Sequence, residues 1–313
     1  MADDTALSRR GLLLSIAAAM VSGCSGRGCA RSPNGTQAVD TSLVQVTEVE
    51  FGPAEGGPQK AVVLVPRWGS PQERYPLLIA LHGRGESNRG LDVGARGWTR
   101  DYYLDRAFAR LRRPPLTLDD LFHIGTQDYV ARLNERIASH PFRGLVVACP
   151  YTPDILGTRA LDAAEPFASF LVEHLIPKMR ASFPVDPSVS ATGIDGVSLG
   201  GRVALLAGMS RIESFGAIGT LQAAIRAPEV DAVAGIVSAA MHRKGKPIPL
   251  RLLTSDEDPF RPALQELSQS LAGRGVKTEM VTIAGPHDYA FNQGPGAYEL
   301  LTWHDRALRG ELG

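Results

Sequence analysis

A serine flanked by glycines is the residue of this chain best suited to chemistry. Gly196-Val197-Ser198-Leu199-Gly200 matches the G-x-S-x-G pattern, in which a sharp turn presents a serine hydroxyl as a nucleophile. Such a turn needs a strand before it and a helix after it. The sequence predicts both, with a β-rich apolar run at residues 189–194 and a helical pattern at residues 202–209. The alternative is a glycine-rich turn whose serine has no chemical role.

Strands and helices alternate along the whole body of the chain. Strands are predicted from apolar runs or from alternating apolar and polar residues at residues 43–51, 61–65, 77–81, 145–148, 189–194, 215–218, 250–253 and 280–283. Helices are predicted from apolar residues at helical spacing at residues 160–183, 202–209, 230–241, 263–271 and 298–308. This alternation predicts the α/β fold class, with a mostly parallel sheet that carries helices on both faces.

An unusually long connection joins the strands predicted at residues 77–81 and 145–148. It carries aromatic and apolar residues with Asp, Arg and Gly between them. Connections of this length in a compact domain are usually functional or have structure of their own. We therefore interpret residues 86–142 either as a helical cap inserted over the active site or as an excursion on the surface.

With its serine turn in this setting, the chain resembles the α/β-hydrolase superfamily, and it is similar to bacterial esterases and polyester-depolymerase-like enzymes. The resemblance follows the element order over most of residues 60–310, but it is specific only at short motifs. One motif is Leu81-His82-Gly83-Arg84-Gly85, similar to the family's His-Gly turn after the third strand. By this match the backbone N–H groups of Arg84 and Leu199 would form an oxyanion hole. The alternative is a plain turn that ends a strand.

The resemblance also implies a position for the catalytic base, because the family order is Ser, then Asp or Glu, then His. Three histidines follow Ser198 in the sequence. His242 precedes the acidic residues 256–258, so the order excludes it. His287 follows the last predicted strand, where the family places its base. His304 lies in the last predicted helix and is the alternative, although a surface or packing role suits it better.

The family's acid follows its strand after a short turn that starts with a small residue and often ends in Asp before Pro. With Ser255 in the small position, Asp258 takes the catalytic register, and Pro259 fixes the turn behind it. Asp256 is the alternative acid, or it accepts backbone N–H groups inside the turn. The resemblance thus implies a triad of Ser198, Asp258 and His287.

Composition argues against several other functions. The 33 Lys and Arg residues balance 33 Asp and Glu residues, and a formal net charge of +0 lacks the electrostatic footprint of a nucleic-acid binder. Cysteine and histidine spacings match no zinc site, and no G-x-G-x-x-G follows a strand, so we expect neither a metal nor a cofactor. Cys149 ends an apolar run, and we expect it to be a buried structural thiol.

The N-terminal residues indicate export. Arg9 and Arg10 directly precede a short apolar run, which resembles a twin-arginine export signal. Val21-Ser22-Gly23-Cys24 then resembles a bacterial lipobox, in which Cys24 becomes lipidated. Cleavage after Ala30 by an ordinary signal mechanism is the alternative, and it would yield a soluble secreted protein.

These features divide the chain into a signal peptide with a lipobox at residues 1–23, a tether at residues 24–40 and one catalytic domain at residues 41–313. We predict an exported, lipid-anchored serine hydrolase that cleaves a small or soluble carboxylic ester. We expect no nucleic-acid partner, and contact with a membrane only through the N-terminal lipid. A serine peptidase or acyltransferase with the same triad is one alternative, because fold and triad do not determine the acyl acceptor. A noncatalytic surface lipoprotein is the other.

Overall fold

A computed structural model describes residues 40–158 and 160–312 of the 313-residue chain. The predicted signal peptide, Cys24 and nearly all of the predicted tether lie outside these described residues. No helix of the described part combines the length and the apolar character needed to cross a bilayer.

Eight strands form one sheet in the described part of the chain: β1 (Val44–Phe51), β2 (Gln59–Pro66), β3 (Leu77–Leu81), β4 (Val146–Pro150), β5 (Thr192–Gly196), β6 (Ala217–Leu221), β7 (Leu250–Ser255) and β8 (Glu279–Ile283). Their order across the sheet is β1-β2-β4-β3-β5-β6-β7-β8. The β1–β2 and β2–β4 pairs are antiparallel, and all other neighbouring strands are parallel. The predicted fold class and the mostly parallel sheet are therefore confirmed.

Helices connect these strands. The α-helices of the described residues are α1 (Arg84–Ser87), α2 (Leu91–Gly94), α3 (Leu104–Arg110), α4 (Gln127–Ser139), α5 (Glu165–Phe170), α6 (Ile176–Ser182), α7 (Leu199–Ser210), α8 (Val230–Lys244), α9 (Arg261–Gly273), α10 (Tyr289–Phe291) and α11 (Ala297–Ala307). π-helical turns lie at Gly97–Asp101, Leu171–Leu175 and Asn292–Gly296. The helix predicted at residues 160–183 thus consists of α5 and α6 with a π turn between them.

Each face of the sheet carries its own apolar core, because successive residues of a strand point to opposite faces. In β3, Leu77 and Ile79 pack in the core that contains α5, α7, α8 and α9. Leu78 and Ala80 pack in the other core, with α3, α4 and α11. Both faces are covered, which explains why β3 is apolar at every position.

β5 begins three residues later in the sequence than predicted. Residues 189–191 form a 3-10 turn instead of extended strand, and the strand begins at Thr192. The Ser188 backbone N–H donates to Asp186 Oδ1 at 2.8 Å, and the Ala191 N–H donates to Ser188 O at 3.3 Å. These local hydrogen bonds compete with strand pairing. β5 ends at Gly196, two residues before Ser198.

The long connection between β3 and β4 is helical. It contains the whole of α1, α2, α3 and α4. Apolar residues of this segment, among them Trp98, Phe108 and Leu133, are buried in the same core as residues of α11 and of the strands. Much of the segment is therefore part of the main body of the fold. That residues 86–142 also form a cap over the active site stays a prediction.

Cys149 lies in β4 and is fully buried, without a disulfide partner among the described residues. Burial raises the pKa of its thiol, so the thiol stays protonated and unreactive at neutral pH. The prediction of a buried structural thiol is confirmed.

Candidate active site

Ser198 lies between β5 and α7, on a strained backbone. Its φ is 56° and its ψ is −113°, a combination that costs a residue with a side chain about 1–3 kcal/mol. The surrounding backbone holds the turn: the Ser198 N–H donates to Leu221 O at 2.9 Å, and the Ser198 carbonyl accepts from the Ala224 N–H at 2.9 Å. This is the strand–turn–helix geometry that presents a serine hydroxyl at the edge of a sheet.

Two glycines of the motif are required by the close approach of β5 and α7. A Cβ on Gly196 would lie 2.5 Å from the backbone carbon of Gly200 and 2.8 Å from Leu81 Cβ. A Cβ on Gly200 would lie 2.6 Å from the carbonyl oxygen of His82. Because these contacts are mostly with backbone atoms, no side-chain movement could relieve them. The glycine pattern therefore brings the first turn of α7 against the end of β3.

His287 connects Ser198 to Asp258. Its Nε2 lies 3.1 Å from Ser198 Oγ, and its Nδ1 lies 2.8 Å from Asp258 Oδ1. A carboxylate accepts hydrogen bonds, so Nδ1 carries the proton and Nε2 is left as the acceptor that faces the serine. The His287 side chain is 22% exposed, whereas the Asp258 side chain is 0% exposed. The structure thus brings together the three residues predicted as a triad.

Asp258 is held by its own loop. Its Oδ1 also accepts the Phe260 N–H at 3.0 Å, and its Oδ2 accepts the Thr254 hydroxyl at 2.5 Å. Both oxygens therefore have donors besides His287, and these hydrogen bonds compensate for the burial of the carboxyl group.

Asp256 faces a different partner. It is exposed, and its Oδ1 accepts the backbone N–H of Gly285 at 2.8 Å. The Asp256 N–H donates to Ile283 O at 3.0 Å. Asp256 therefore joins the loop at residues 256–259, called the acid loop below, to the loop that carries His287. Asp258 is the carboxylate that contacts the imidazole.

The other two histidines that follow Ser198 lie elsewhere. His242 is exposed on α8, where its Nδ1 is 2.7 Å from Ser238 O. His304 is fully buried on α11, and its Nε2 lies 2.9 Å from Asp195 Oδ2. Burial is the largest influence on the His304 imidazole, and it lowers the pKa. His304 is therefore a packing residue of the core and not a surface residue.

The two N–H groups predicted to form an oxyanion hole start two helices. Arg84 is the first residue of α1 and Leu199 is the first residue of α7. The first N–H groups of a helix have no acceptor within it, and they point out of its N-terminal end. The two helix starts are close, because the end of β3 leads into Arg84 and also packs on Gly200. The Arg84 side chain turns away to pair with Asp154 at 2.8 Å.

His82 is a structural part of the turn that leads to Arg84. It is fully buried, with Nδ1 3.0 Å from Gly83 O and with Nε2 accepting the Thr152 N–H at 2.8 Å. Burial lowers its pKa to about 4. The neutral imidazole therefore joins the end of β3 to the residues after β4.

A buried carboxylate beside this turn was not predicted from the sequence. Glu86 is 1% exposed and accepts the hydroxyls of both Tyr102 and Tyr289, the latter at 2.7 Å. Burial, followed by the contact with Glu86, raises the pKa of Tyr102 well above its usual value and that of Tyr289 to about 12. Both phenols therefore remain hydrogen-bond donors at neutral pH.

Gln222 was also missed. It directly follows β6 with a φ of 48°, and its side chain is fully buried. Its Nε2 donates to Ser255 Oγ at 2.6 Å and to the carbonyl oxygen of Pro286 at 2.9 Å. Gln222 thus joins the end of β7 to the residue before His287. A glutamine after a predicted strand gives no sign of these contacts, which only the fold creates.

Solved structures with the same architecture cover most of the chain. A ferulic acid esterase matches with a TM-score of 0.63 and 15% sequence identity, over 85% of this chain and 99% of that protein. An S-formylglutathione hydrolase from Staphylococcus aureus matches with a TM-score of 0.58 and 14% identity, over 84% of this chain and 97% of that protein. The chain has the α/β-hydrolase fold. This α/β-hydrolase also matches the structure of Staphylococcus aureus fluorophosphonate-binding serine hydrolase F, with a TM-score of 0.59 and 14% identity over 84% of this chain and 99% of that protein.

A model of a protein family also matches part of the sequence. The family described as "Putative esterase" matches residues 158–289, which include Ser198, Asp258 and His287. A comparison with curated proteins found no match. The family match and the fold together support the prediction of a serine carboxylic ester hydrolase.

Proposed function

We propose that this α/β-hydrolase cleaves carboxylic esters with Ser198 as nucleophile, His287 as general base and Asp258 as the acid that orients the imidazole. One observation carries the proposal: a continuous line of hydrogen bonds runs from Asp258 through His287 to Ser198, at 2.8 and 3.1 Å. The strained turn beneath Ser198 adds to this support, because strain of this kind concentrates at functional sites.

The proposed reaction has two halves. His287 Nε2 takes the Ser198 proton while Ser198 Oγ attacks the acyl carbon, and the imidazolium then gives that proton to the leaving alcohol. In the second half, His287 takes a proton from water as the water attacks the acyl-enzyme. The carboxylic acid product is released and Ser198 recovers its proton. In both halves negative charge develops on the carbonyl oxygen, where the N–H groups of Arg84 and Leu199 would stabilise it. Asp258 stabilises the positive imidazolium at each step.

The proposed substrate is a small or soluble ester. The names of two similar structures, a ferulic acid esterase and an S-formylglutathione hydrolase, are consistent with acyl transfer to water. A peptidase or acyltransferase would use the same three side chains. The choice between them therefore depends on the leaving group and on the acyl acceptor.

Two measurements test this proposal. A fluorophosphonate probe should label the protein at Ser198, because the probe reacts with serine hydroxyls that a neighbouring base activates. Matched esters and amides of one acyl group should then be compared, with hydrolysis and transfer to an added alcohol measured separately. We expect ester hydrolysis to dominate. Faster amide cleavage would instead indicate a peptidase, dominant transfer to the alcohol an acyltransferase, and no labelling a noncatalytic protein.

We further propose that the protein is exported and attached to a bacterial membrane through lipid on Cys24. The proposal rests on the arginine pair at residues 9–10 and on Val21-Ser22-Gly23-Cys24. We expect processing that is sensitive to globomycin and incorporation of an acyl label that Cys24→Ser abolishes. A soluble mature protein that begins after Ala30 would contradict the lipid anchor but not export.

A further inference from the structure

The candidate site contains a buried carboxylate, Glu86, that has no role in the proposed triad or oxyanion hole. Glu86 lies in α1, two residues after Arg84, and the Cα of Gly97 packs directly over its side chain. A Cβ on Gly97 would lie 2.6 Å from Glu86 Cγ. Burial of a carboxylate without hydrogen-bond partners is strongly unfavourable. Its partners therefore indicate what it does.

On one side Glu86 holds the turn that leads to the oxyanion hole. Its Oε2 accepts the Tyr102 hydroxyl. The oxygen of that hydroxyl accepts the backbone N–H of Gly83 at 3.2 Å. Since the phenol oxygen already accepts from Gly83, its own proton is directed to Glu86. Edge-to-face packing of Tyr102 on Trp98, with ring centroids 5.0 Å apart, keeps the phenol in place.

On the other side Glu86 holds the segment that follows the catalytic histidine. Its Oε1 accepts the hydroxyl of Tyr289 at 2.7 Å, and Tyr289 is two residues after His287. The Tyr289 oxygen accepts from Arg89 Nη2 at 3.1 Å, so its proton is also directed to Glu86. A Cβ on Gly85 would lie 2.9 Å from the Tyr289 hydroxyl, which places the two segments in direct contact.

We propose that Glu86 is a positioning residue, which sets the location of the oxyanion turn at residues 83–85 relative to the histidine loop at residues 285–289. This inference rests on the proposed ester hydrolysis. The two segments are about 200 positions apart in the sequence. The oxyanion turn follows β3, whereas the histidine loop follows β8. Through the hydroxyls of Tyr102 and Tyr289, Glu86 therefore links the oxyanion turn to the histidine loop. Both segments must act on the same carbonyl group of the substrate.

Both contacts need an acceptor, and this requirement gives a selective test. Glu86→Gln keeps the shape of the side chain but places an NH₂ group against one of the two phenols. That phenol already accepts one hydrogen bond, and its own proton would lose its acceptor. The turn or the histidine loop should then move. Misplacement of catalytic groups by about 1 Å can lower the rate by about 100-fold.

The experiment compares Glu86→Gln with Glu299→Gln, a matched control. Glu299 is also a buried carboxylate that accepts a tyrosine hydroxyl, from Tyr129 at 2.9 Å, but it lies on α11 against Arg251. Active sites are first counted with the fluorophosphonate probe, and kcat and KM are then expressed per labelled site. We expect kcat of Glu86→Gln to fall by about 10- to 100-fold with little change in KM. Glu299→Gln should lower the melting temperature without changing kcat per site.

Tyr289→Phe provides a second variant in case Glu86→Gln does not fold. Tyr289 is 41% exposed, so loss of its hydroxyl removes the contact to Glu86 with little disturbance of the core. We expect its kcat per site also to fall, and the double variant with Glu86→Gln to lose less than the product of the single losses. An unchanged kcat in both single variants, or an equal fall in Glu299→Gln, would overturn the inference. Failure of the wild-type protein to react with the probe would instead overturn the proposed function.

Discussion

Ser198→Ala should abolish nearly all hydrolysis of a short activated ester while the protein keeps its fold. The Ser198 hydroxyl lies 3.1 Å from His287 Nε2, at the start of a helix that is buried along most of its length. Its removal takes away the atom that forms the acyl-enzyme and leaves the core unchanged. Losses of roughly 10⁴- to 10⁶-fold in turnover are typical when the nucleophile of a triad is removed. Initial rates and thermal unfolding of the purified variant check both parts of this prediction.

Ser210→Ala is the matched control for this variant. Ser210 ends the same helix, α7, and its hydroxyl donates only to the neighbouring carbonyl of Ala207 at 3.1 Å among the described residues. It should retain full turnover with at most a small loss of stability. If Ser198→Ala kept more than about a tenth of the activity, a different residue would be the nucleophile.

Much of the fold follows from local patterns in the sequence. The run at residues 77–81 is apolar at every position, and β3 is indeed a central strand that is buried on both faces. Residues 43–51 alternate, and β1 is an edge strand with several exposed positions. Alternation and continuous runs report burial directly, so they predict strands well. They do not report local turns, and hydrogen bonds around Asp186 and Ser188 therefore moved the start of β5 from residue 189 to Thr192.

The residues of the candidate triad could be named from the sequence because each lies just after a strand. Parallel strands place such positions at one edge of the sheet, so the elements that carry Ser198, Asp258 and His287 converge there. Ser198 could be named from a short motif and its flanking strand and helix, whereas Asp258 and His287 also required the resemblance to the α/β-hydrolase superfamily. The catalytic roles of these three residues, and of Arg84 and Leu199 in the oxyanion hole, stay predictions.

The residues that support this site could not be found in the same way. Glu86 meets Tyr289 from about 200 positions away, and Gln222 meets Pro286 from 64 positions away. Neither contact has a spacing rule, because it depends on how two loops pack and not on the period of a strand or helix. A glutamate directly after a glycine-containing turn is an ordinary surface pattern. Only its burial, at 1% exposure, distinguishes Glu86.

The second prediction with a large expected effect concerns the triad acid, and it distinguishes Asp258 from Asp256. Asp258→Asn should cripple turnover by up to about 10⁴-fold, because the amide has no charge to stabilise the imidazolium that forms in both halves of the reaction. The variant should stay folded. Its amide oxygen can still accept from Phe260 and His287, while its NH₂ group faces the Thr254 hydroxyl, which is able to accept.

Asp256→Asn is the matched comparison, since it makes the same chemical change two residues away. Its amide oxygen can still accept the Gly285 N–H, so the link between the acid loop and the histidine loop should survive. We expect Asp256→Asn to cost far less turnover than Asp258→Asn when both are measured as kcat per labelled site. Because both variants remove one negative charge from the same loop, a general electrostatic effect would lower the two rates alike. If Asp256→Asn had the larger effect, Asp256 would be the triad acid, and the contact between Asp258 and His287 would be structural only.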